Sequence, residues 1–343
     1  MKVAFLCGML NERGTSVANY DYAHFNEALL KNKSIILTSS GQDPSLVEKF
    51  GTRFQVFTYT DSNEIDDFIA RESIDVCYML VHGNREKSPE RLPRGCKLVV
   101  HCVFNTRTQF GDVYAGISDY LNQRCGTACP VVPHMVHLPE VDSDLRGELG
   151  IPKDALVFGR HGGWDTFNIR FVYRVIEKVI RKRKDIYFLF LNTRPFSAEH
   201  KQIIHLPATH DMERKTAFVN TCDAMLHARK GGETFGIAVG EFSIKNKPVL
   251  TWKPPEGLAY IGYSIRNFLN PLIPGAQRLP KATATAHFDI LQDKAMCYHN
   301  AGELYRILTR WDSGVVSKKN WDAYSKEYAP EPVMALFKKY FLD

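Results

Sequence analysis

The stretch AMLHARKGGETFGIAVGEFSIK, residues 224–245, places a strand, a glycine-rich turn and a helix in immediate succession. AMLHA is a short apolar run typical of a buried strand, RKGGETFG carries the glycines of a turn, and IAVGEFSIK continues as a helix. The first turn of a helix leaves backbone N–H groups unpaired, and the helix dipole adds positive potential there. Because Gly231, Gly232 and Gly236 keep side chains away from that backbone, the stretch predicts a phosphate site after a strand.

Two glutamates, Glu233 and Glu241, accompany this turn with seven residues between them. A carboxylate at Glu233 can accept hydrogen bonds from sugar hydroxyls beside a bound phosphate. Glu241 lies about 12 Å further along the helix at ~1.5 Å per residue, a distance that reaches from a sugar past a diphosphate to a ribose. A structural alternative makes Glu233 a first-turn capping acid and Glu241 a surface residue. The local sequence leaves both interpretations open.

The alternation of strand and helix recurs along the whole chain. Apolar runs rich in β-branched and aromatic residues alternate with amphipathic segments, which predicts an α/β fold with parallel sheets covered on both faces. The predicted strands cover 2–7, 34–39, 54–59, 75–81, 97–104, the start of 156–163, 186–192, 224–228 and 248–252. The predicted helices cover 16–31, 63–72, 167–184 and the closing stretch 330–343.

A stretch rich in proline and acidic residues, 130–154, divides the chain. The 343 residues exceed the ~100–200 of a usual single core, so two domains are expected. We place an N-terminal Rossmann-like domain at 1–140, a C-terminal Rossmann-like domain at 141–318 and a closing helix at 319–343. Doubly wound domains bind ligands at the carboxyl ends of their strands, so we expect the two sheets to face a central cleft.

The composition favours a globular protein of a reducing compartment. Hydrophobic residues make up 44% and charged residues 24%, and no apolar run approaches the ~20 residues of a membrane helix. The eight cysteines include no C-x-x-C pair, and several lie within apolar runs, so we expect a cytoplasmic protein. The net charge of +6 suits an anionic ligand or peripheral contact with an acidic membrane. Dispersed basic residues without a recognition motif give no indication of nucleic-acid binding.

Five motifs, taken in order, resemble those of the retaining GT-B glycosyltransferases, the large group-1 or family-4-like family that includes sucrose synthases and bacterial mannosyltransferases. The family signature Glu-x7-Glu around E-x-F-G matches Glu233 to Glu241. The other four are VVHCVFN at 99–105, YAGISDYLNQR at 114–124, VVPHMVHLP at 131–139 and LGIPKDALVFGR at 149–160. The resemblance covers most of the chain and implies a GT-B architecture whose last helix crosses back to the N-terminal domain.

The resemblance assigns roles to matching residues. His101 and Glu233 would act at the reacting sugar, although His101 at a strand end is equally a core histidine in the structural alternative. Gly14, in NERGTS, would let the backbone approach the acceptor or a donor phosphate. The donor site, in which Arg160 holds the diphosphate and Glu241 the ribose, would comprise Arg160, Glu233, Thr234, Phe235, Gly236 and Glu241.

The chain departs from the family at two places. Thr166 stands where the family has a second diphosphate-binding lysine, and Arg229 or Lys230 is our candidate for the missing charge. The family's P-N-G-V-D is replaced by residues 133–137, PHMVH, which lack the glycine and the acid. The acceptor side is therefore expected to differ from that of well-known members.

Other chemistries have weaker support in the sequence. The acidic DSD at 142–144 matches a metal-binding Asp-x-Asp, but it follows the proline-rich linker instead of a strand, so we expect no required metal. Cys125 and Cys129 have no second pair nearby to complete a zinc site. No G-x-G-x-x-G follows a strand, and no G-x-S-x-G elbow occurs.

The sequence therefore predicts a glycosyltransferase that needs no resident cofactor. The resemblance implies that it would move a sugar from a nucleoside-diphosphate sugar, UDP- or GDP-sugar by preference, to a hydroxyl of a glycan, protein or lipid with retention of configuration. Two alternatives stay open: a nucleotide-sugar epimerase, which needs no acceptor, and a non-catalytic nucleotide or sugar binder. The donor base, the donor sugar and the oligomeric state do not follow from the sequence.

Overall fold

The computed structural model describes residues 1–8, 10, 14–42, 44–83, 91–254 and 284–343. The chain divides into two units, one formed by Met1–His137 with Lys326–Asp343 and the other by Leu138–Ser325. Each unit is built on its own six-stranded parallel sheet. The predicted α/β class, with two parallel sheets in two units, is confirmed.

The N-terminal unit has the strand order β3-β2-β1-β4-β5-β6, so the first strand lies in the middle of the sheet. The strands are β1 Lys2–Gly8, β2 Lys33–Ser39, β3 Gln55–Tyr59, β4 Val76–Val81, β5 Lys97–Cys102 and β6 Val113–Gly116. The helices are α1 Gly14–Ala28, α2 Pro44–Gly51, α3 Asn63–Glu72 and α4 Asp119–Cys125. Helix α3 presents Ile65, Phe68 and Ile69 to the sheet, the i, i+3, i+4 spacing of an amphipathic helix.

The C-terminal unit repeats this plan with the order β14-β12-β10-β7-β8-β9. Its strands in the main sheet are β7 Leu156–His161, β8 Ile186–Leu191, β9 Ile203–Leu206, β10 Ala224–His227, β12 Val249–Trp252 and β14 Ala295–Tyr298. A separate two-stranded pair joins β11 Gly232–Glu233 to β13 Ala284–Thr285. The helices are α5 Arg170–Lys182, α6 Met212–Thr221, α7 Ile237–Ile244, α8 Ala286–Leu291, α9 Ala301–Thr309 and α10 Ser313–Val316.

The core of this second unit follows from its apolar pattern. All six residues of β8, IYFLFL, are buried, because helices cover a parallel sheet on both faces. Helix α5 buries Val172, Val175, Ile176, Val179 and Ile180 on one stripe, as its 3.6-residue periodicity predicts.

The last part of the chain, Lys326–Asp343, belongs to the N-terminal unit. It contains helices α11 Ser325–Tyr328 and α12 Pro330–Phe337, followed by a π-helical turn at Lys338–Leu342. The ring of Phe337 stacks on Tyr22 of α1, with 5.3 Å between centroids. The backbone N–H of Val136 donates to the carbonyl of Tyr328 at 2.7 Å.

All nine predicted strands occur, and the helices predicted around 16–31, 63–72 and 167–184 occur as α1, α3 and α5. The sequence analysis did not predict β6, β9 and β14, each four residues long and each at an edge of a main sheet, or the two-residue strands β11 and β13. It also did not predict the helices α2, α6, α8, α9, α10 and α11. In the part of the chain that the structure describes, no helix is both long and apolar enough to cross a membrane.

Candidate functional site

The candidate site lies at the carboxyl ends of β7 and β10 in the C-terminal unit. These strands pair in parallel, so their ends meet at the same edge of the sheet. Two hydrogen bonds join the loops that follow them: the N–H of Asn168 donates to the carbonyl of Ala228 at 3.0 Å. The N–H of Lys230 donates to Oδ1 of Asn168 at 2.8 Å. The residues Arg160 and Glu233, both predicted from the sequence, are brought near each other here although they lie 73 positions apart, and the charge of Glu233 acts on Arg160.

Arg160, the next-to-last residue of β7, carries a guanidinium buried at 4% exposure. Its Nη1 donates to Oγ1 of Thr193 at 2.5 Å, and its Nη2 donates to the carbonyl of Gly163 at 3.2 Å and to Oγ1 of Thr166. All three of these acceptors are neutral. Burial lowers the pKa of Arg160 to about 10, and the opposing fields of Glu233 and Arg229 reach the same group. A buried cation with neutral acceptors is stabilised by an anion brought into contact with it.

The glycine loop after β7 is shaped around that guanidinium. Gly162 has φ +149°, and a Cβ at this position would lie 2.7 Å from Nη2 of Arg160. A side chain at position 162 would therefore displace the arginine. Thr166, which stands where the family has lysine, donates its hydroxyl to the carbonyl of Gly163 at 2.8 Å and accepts from Arg160. Thr166 therefore does not replace the lysine's charge; it fixes the position of the neighbouring cation.

Glu233, on β11, is held through both of its carboxylate oxygens. Its Oε2 accepts from Nη1 of Arg229 at 2.6 Å, and its Oε1 lies 3.2 Å from Nε2 of His227, the last residue of β10. Burial alone would raise the pKa of Glu233, but Arg229 and His227 outweigh it and hold the pKa at about 2. The side chain keeps 17% of its surface exposed. An ionised carboxylate has about four acceptor positions, so each oxygen of Glu233 can still accept a hydrogen bond from a hydroxyl group.

The residues between Glu233 and helix α7 set the direction of the chain. Gly236 has φ +94°, and a Cβ there would press on Cβ of Glu233 at 3.3 Å. Phe235 is buried, its ring lies edge-on to Tyr324 at 5.7 Å between centroids, and its carbonyl accepts from the Tyr324 hydroxyl at 3.1 Å. Thr234 is 9% exposed beside them. Phe235 therefore anchors the turn through packing, while Gly236 gives the turn its shape.

Glu241, on α7, is 1% exposed, so the surface alternative for it is wrong. Its Oε1 accepts from Nζ of Lys215 on α6 at 2.5 Å. Its Oε2 lies 2.8 Å from Nε2 of His161, at an angle that makes no hydrogen bond for either atom. Burial by itself would raise the pKa of Glu241, but Lys215 and His161 outweigh it and hold the pKa at about 2. The ribose contact that the resemblance implies stays a prediction.

His101 and Gly14 lie in the N-terminal unit. His101 is fully buried on β5; its Nδ1 lies 2.7 Å from the Tyr78 hydroxyl and its Nε2 lies 2.7 Å from the carbonyl of Val132. Burial, followed by the nearby His134, lowers the pKa of His101 well below its usual range. With both nitrogens engaged inside the unit, the geometry favours the core-histidine alternative, and the catalytic role stays a prediction. Gly14 begins α1, and residues 11–13 before it lie outside the described residues.

The sequence analysis did not predict several polar residues that contact the predicted site residues, either directly or through a neighbouring side chain. His161 and His227 are the last residues of β7 and β10, so their place at strand ends was a usable signal. The others come from elements far along the chain and had no local signal. These supporting residues are His161, Thr193, Lys215, His227, Thr251 and His287.

No family model matches the chain, and no curated protein matches it. Solved glycosyltransferases match its structure over nearly their full lengths. HepE from Anabaena, in complex with UDP-glucose, matches with a TM-score of 0.65 and 13% identity, covering 99% of each chain. A glycosyltransferase from Rickettsia africae matches with a TM-score of 0.60 and 12% identity, covering 98% of this chain and 94% of that one. WaaG, involved in lipopolysaccharide biosynthesis, matches with a TM-score of 0.60 and 12% identity over 98% of each chain. At such identities the likeness establishes the GT-B fold.

Proposed function

We propose that this protein is a glycosyltransferase that moves a sugar from a nucleoside-diphosphate sugar to an acceptor hydroxyl. We further propose that transfer retains the anomeric configuration and needs no metal ion. The expected donor is a UDP- or GDP-sugar, and the acceptor belongs to a glycan, a protein or a lipid. The fold is compatible with many chemistries, so the proposal has to rest on the site itself.

The observation that carries the proposal is that Arg160, at the end of β7, and Glu233, shortly after the end of β10, lie close enough for the charge of Glu233 to act on Arg160. Arg160 is a buried cation whose three hydrogen-bond acceptors are neutral, which suits a diphosphate. Glu233 is an ionised, part-exposed carboxylate with acceptor positions left for hydroxyls. A ligand with an anionic half and a hydroxyl-rich half satisfies both groups at once, and a nucleotide sugar has that chemistry.

The mechanism we propose depends on positioning and on charge stabilisation. The pKa of Glu233, about 2, keeps this group ionised at neutral pH, so it binds hydroxyls and does not act as an acid. Arg160 and the N-terminus of α7 would stabilise the charge that develops on the departing diphosphate. The departing phosphate would take the proton of the acceptor hydroxyl on the same face of the sugar, which gives retention without a covalent nucleophile.

The solved relatives suggest where to begin with donors. The Anabaena HepE structure holds UDP-glucose, and another structure of HepE holds UDP and glucose. A UDP-sugar is therefore the first donor that we would test on this chain. The departures at 133–137 keep the acceptor open, so an acceptor screen follows the donor screen.

The test is incubation of the purified protein, with EDTA, with UDP-, GDP-, ADP- and dTDP-sugars, each followed by NMR. Slow release of nucleoside diphosphate, with the freed sugar first appearing in the donor's anomeric configuration, supports the proposal and identifies the donor. Conversion of the donor into an isomer would instead assign the protein as an epimerase. Binding without turnover, persisting through an acceptor screen of glycans, peptides and lipids, would assign it as a non-catalytic binder.

Arg160→Ala and Glu148→Gln serve as the site variant and the surface control. Glu148 pairs with Arg214 at the surface of the same unit, so its removal leaves the site intact. Turnover that survives in Arg160→Ala at the wild-type level would show that the reaction takes place elsewhere.

A further inference from the structure

A continuous line of side chains runs from Glu233 into the interior of the C-terminal unit. Nε2 of His227 lies 3.2 Å from Oε1 of Glu233, and Nδ1 of His227 lies 2.9 Å from Oγ1 of Thr251 on β12. The same Thr251 hydroxyl lies 3.2 Å from Nε2 of His287 on α8. His227, Thr251 and His287 are at most 3% exposed. Four residues from four elements are thus joined in one direction.

The protons on this line have a single consistent arrangement when both histidines are neutral. An ionised carboxylate only accepts, so His227 carries its proton on Nε2 and its Nδ1 is an acceptor. Thr251 must then donate to His227, which leaves its oxygen to accept from Nε2–H of His287. Burial, followed by the nearby His227, lowers the pKa of His287 to about 3, so this ring is neutral at physiological pH. Every hydrogen bond therefore points toward Glu233.

We propose that His227, oriented by Thr251 and His287, is a positioning residue that fixes the Glu233 carboxylate for recognition of the donor sugar. The inference rests on the proposed function, because it names what holds the group that would bind the sugar hydroxyls. Arg229 holds the other oxygen at 2.6 Å, so the carboxylate is gripped from two sides and its plane is set. A carboxylate in a fixed plane presents its remaining lone pairs in fixed directions, as sugar recognition requires.

The line has a feature that packing alone does not account for. Nδ1 of His287 is buried and makes no hydrogen bond within the described part of the chain. Leaving a buried acceptor unpaired is unfavourable, and an apolar side chain would fill the same space without that cost. The contact that a polar ring does supply here is the one between Nε2 and the Thr251 hydroxyl, at 3.2 Å.

Thr251→Val tests the proposal, since it removes one hydroxyl from the line at nearly constant volume. Thr251→Ser keeps the hydroxyl and is the rescue variant. Thr221→Val is the matched control: Thr221 is also fully buried, its hydroxyl donates to the carbonyl of Ala217 at 2.7 Å and accepts from the N–H of Leu145 at 2.8 Å. It has no contact with the line, so it reports the cost of losing a buried threonine hydroxyl in general.

The measurement is calorimetric affinity for UDP-glucose and for UDP, and in parallel for GDP-mannose and GDP, with each variant. We expect Thr251→Val to reduce the preference for the sugar nucleotide over the bare nucleotide by about fivefold to tenfold, the range for one lost hydrogen bond. Affinity for the bare nucleotide, which depends on Arg160, is expected to stay unchanged. Thr251→Ser restores the preference, and Thr221→Val leaves it at the wild-type value.

The outcomes separate the two levels of the proposal. An unchanged preference in a folded Thr251→Val protein, or an equal loss in Thr221→Val, overturns the positioning role while the proposed function stands. A wild-type protein that binds no member of the panel of UDP-, GDP-, ADP- and dTDP-sugars overturns the proposed function and the positioning role with it. Long-range NMR spectra of the histidine rings give a separate readout: a proton on Nδ1 of His227 would contradict the arrangement directly.

Discussion

Glu241→Gln should destabilise the C-terminal unit far more than an ordinary surface substitution. Glu241 and Lys215 are 1% and 8% exposed, and their ion pair measures 2.5 Å. Glutamine keeps the shape of the side chain but leaves the Lys215 ammonium buried beside a neutral partner. Breaking a buried ion pair from one side costs about 3–5 kcal/mol, because the remaining charge stays desolvated.

The chain supplies a matched control one residue away on α6. Arg214 pairs with Glu148 at 2.5 Å, but these side chains are 41% and 50% exposed. Water screens such a pair, so Glu148→Gln is expected to leave the stability within the error of the measurement. Glu241→Gln combined with Lys215→Met removes both charges, and this double variant should be more stable than Glu241→Gln alone.

Tryptophan fluorescence during urea unfolding is the assay. All four tryptophans, residues 164, 252, 311 and 321, lie within Leu138–Ser325, so the signal reports this unit alone. With a urea dependence of about 2–3 kcal/mol per molar, a loss of about 3–5 kcal/mol lowers the unfolding midpoint by about 1–2.5 M. A Glu241→Gln midpoint no lower than that of Glu148→Gln would refute the argument that this carboxylate is a buried structural ion.

The same carboxylate gives the pH dependence a definite sign. The pKa of Glu241 is about 2 in the folded protein against an ordinary 4.5, so its contribution to stability is complete above pH 4.5. It is lost as the pH falls from 4.5 to about 2, because the unfolded chain takes up the proton first. The difference in midpoint between wild type and Glu241→Gln should therefore shrink across this window.

Three further predictions concern other groups. Arg160→Ala should weaken binding of UDP itself by about ten- to a hundredfold, since charge-assisted hydrogen bonds contribute about 1.5–3 kcal/mol. If calorimetry gives the variant and the wild type the same affinity for UDP, Arg160 is not part of the phosphate site. Gly162→Ala should weaken UDP binding in the same direction but less, because its Cβ would lie 2.7 Å from the Arg160 Nη2; an unaffected Kd would contradict the close approach. Burial lowers the pKa of His134 to about 4 and also lowers the pKa of His101. Below pH 6.5 the unfolded chain therefore takes up protons that the folded unit does not, so the N-terminal unit should lose stability by up to about 1.4 kcal/mol per pH unit for each histidine. The measurement is the free energy of opening of that unit, from amide hydrogen exchange corrected for intrinsic exchange rates. A value that stays constant between pH 6.5 and 4.5 would argue against buried neutral rings.

Central strands could be predicted from the sequence because burial on both faces leaves a continuous apolar run. β8, with IYFLFL wholly buried, is the clearest case. The missed strands β6, β9 and β14 lie at sheet edges, where only one neighbour pairs, and four residues are too few to show a period. Helix α6 was not predicted for another reason. Its buried positions include the polar residues Lys215, Thr216 and Thr221, so its sequence lacks the apolar stripe of an amphipathic helix.

Of the site residues, the sequence could predict only those that lie at or shortly after the end of a predicted strand. Arg160 lies at the end of β7 and Glu233 in the segment after β10, and these two strands are parallel neighbours in one sheet. Thr193, which accepts from Arg160, and His287, which is joined to Glu233 through Thr251 and His227, lie 33 and 54 positions away from Arg160 and Glu233. No local pattern indicates which groups will meet. Hydrogen bonding depends on separations of about 3 Å, which a sequence without the fold does not specify.

The choice between Arg229 and Lys230 as a second phosphate-binding cation can be argued on the same physical grounds. Arg229 is neutralised by Glu233 at 2.6 Å, so its attraction for a phosphate is weakened. The pKa of Lys230 is lowered by burial and by the positive charge of Arg170, which means that two cations share one region. Such a pair repels itself until an anion joins it.

Lys230→Met should therefore reduce UDP affinity more than Arg229→Met does. Both variants remove one charge from adjacent positions, so each is the other's control. Arg229→Met should instead reduce the preference for UDP-glucose over UDP, because Arg229 holds the carboxylate that we assign to the sugar. A larger loss of UDP affinity in Arg229→Met would mean that the arginine leaves Glu233 for the diphosphate, and Glu233 would then have to be held by His227 alone.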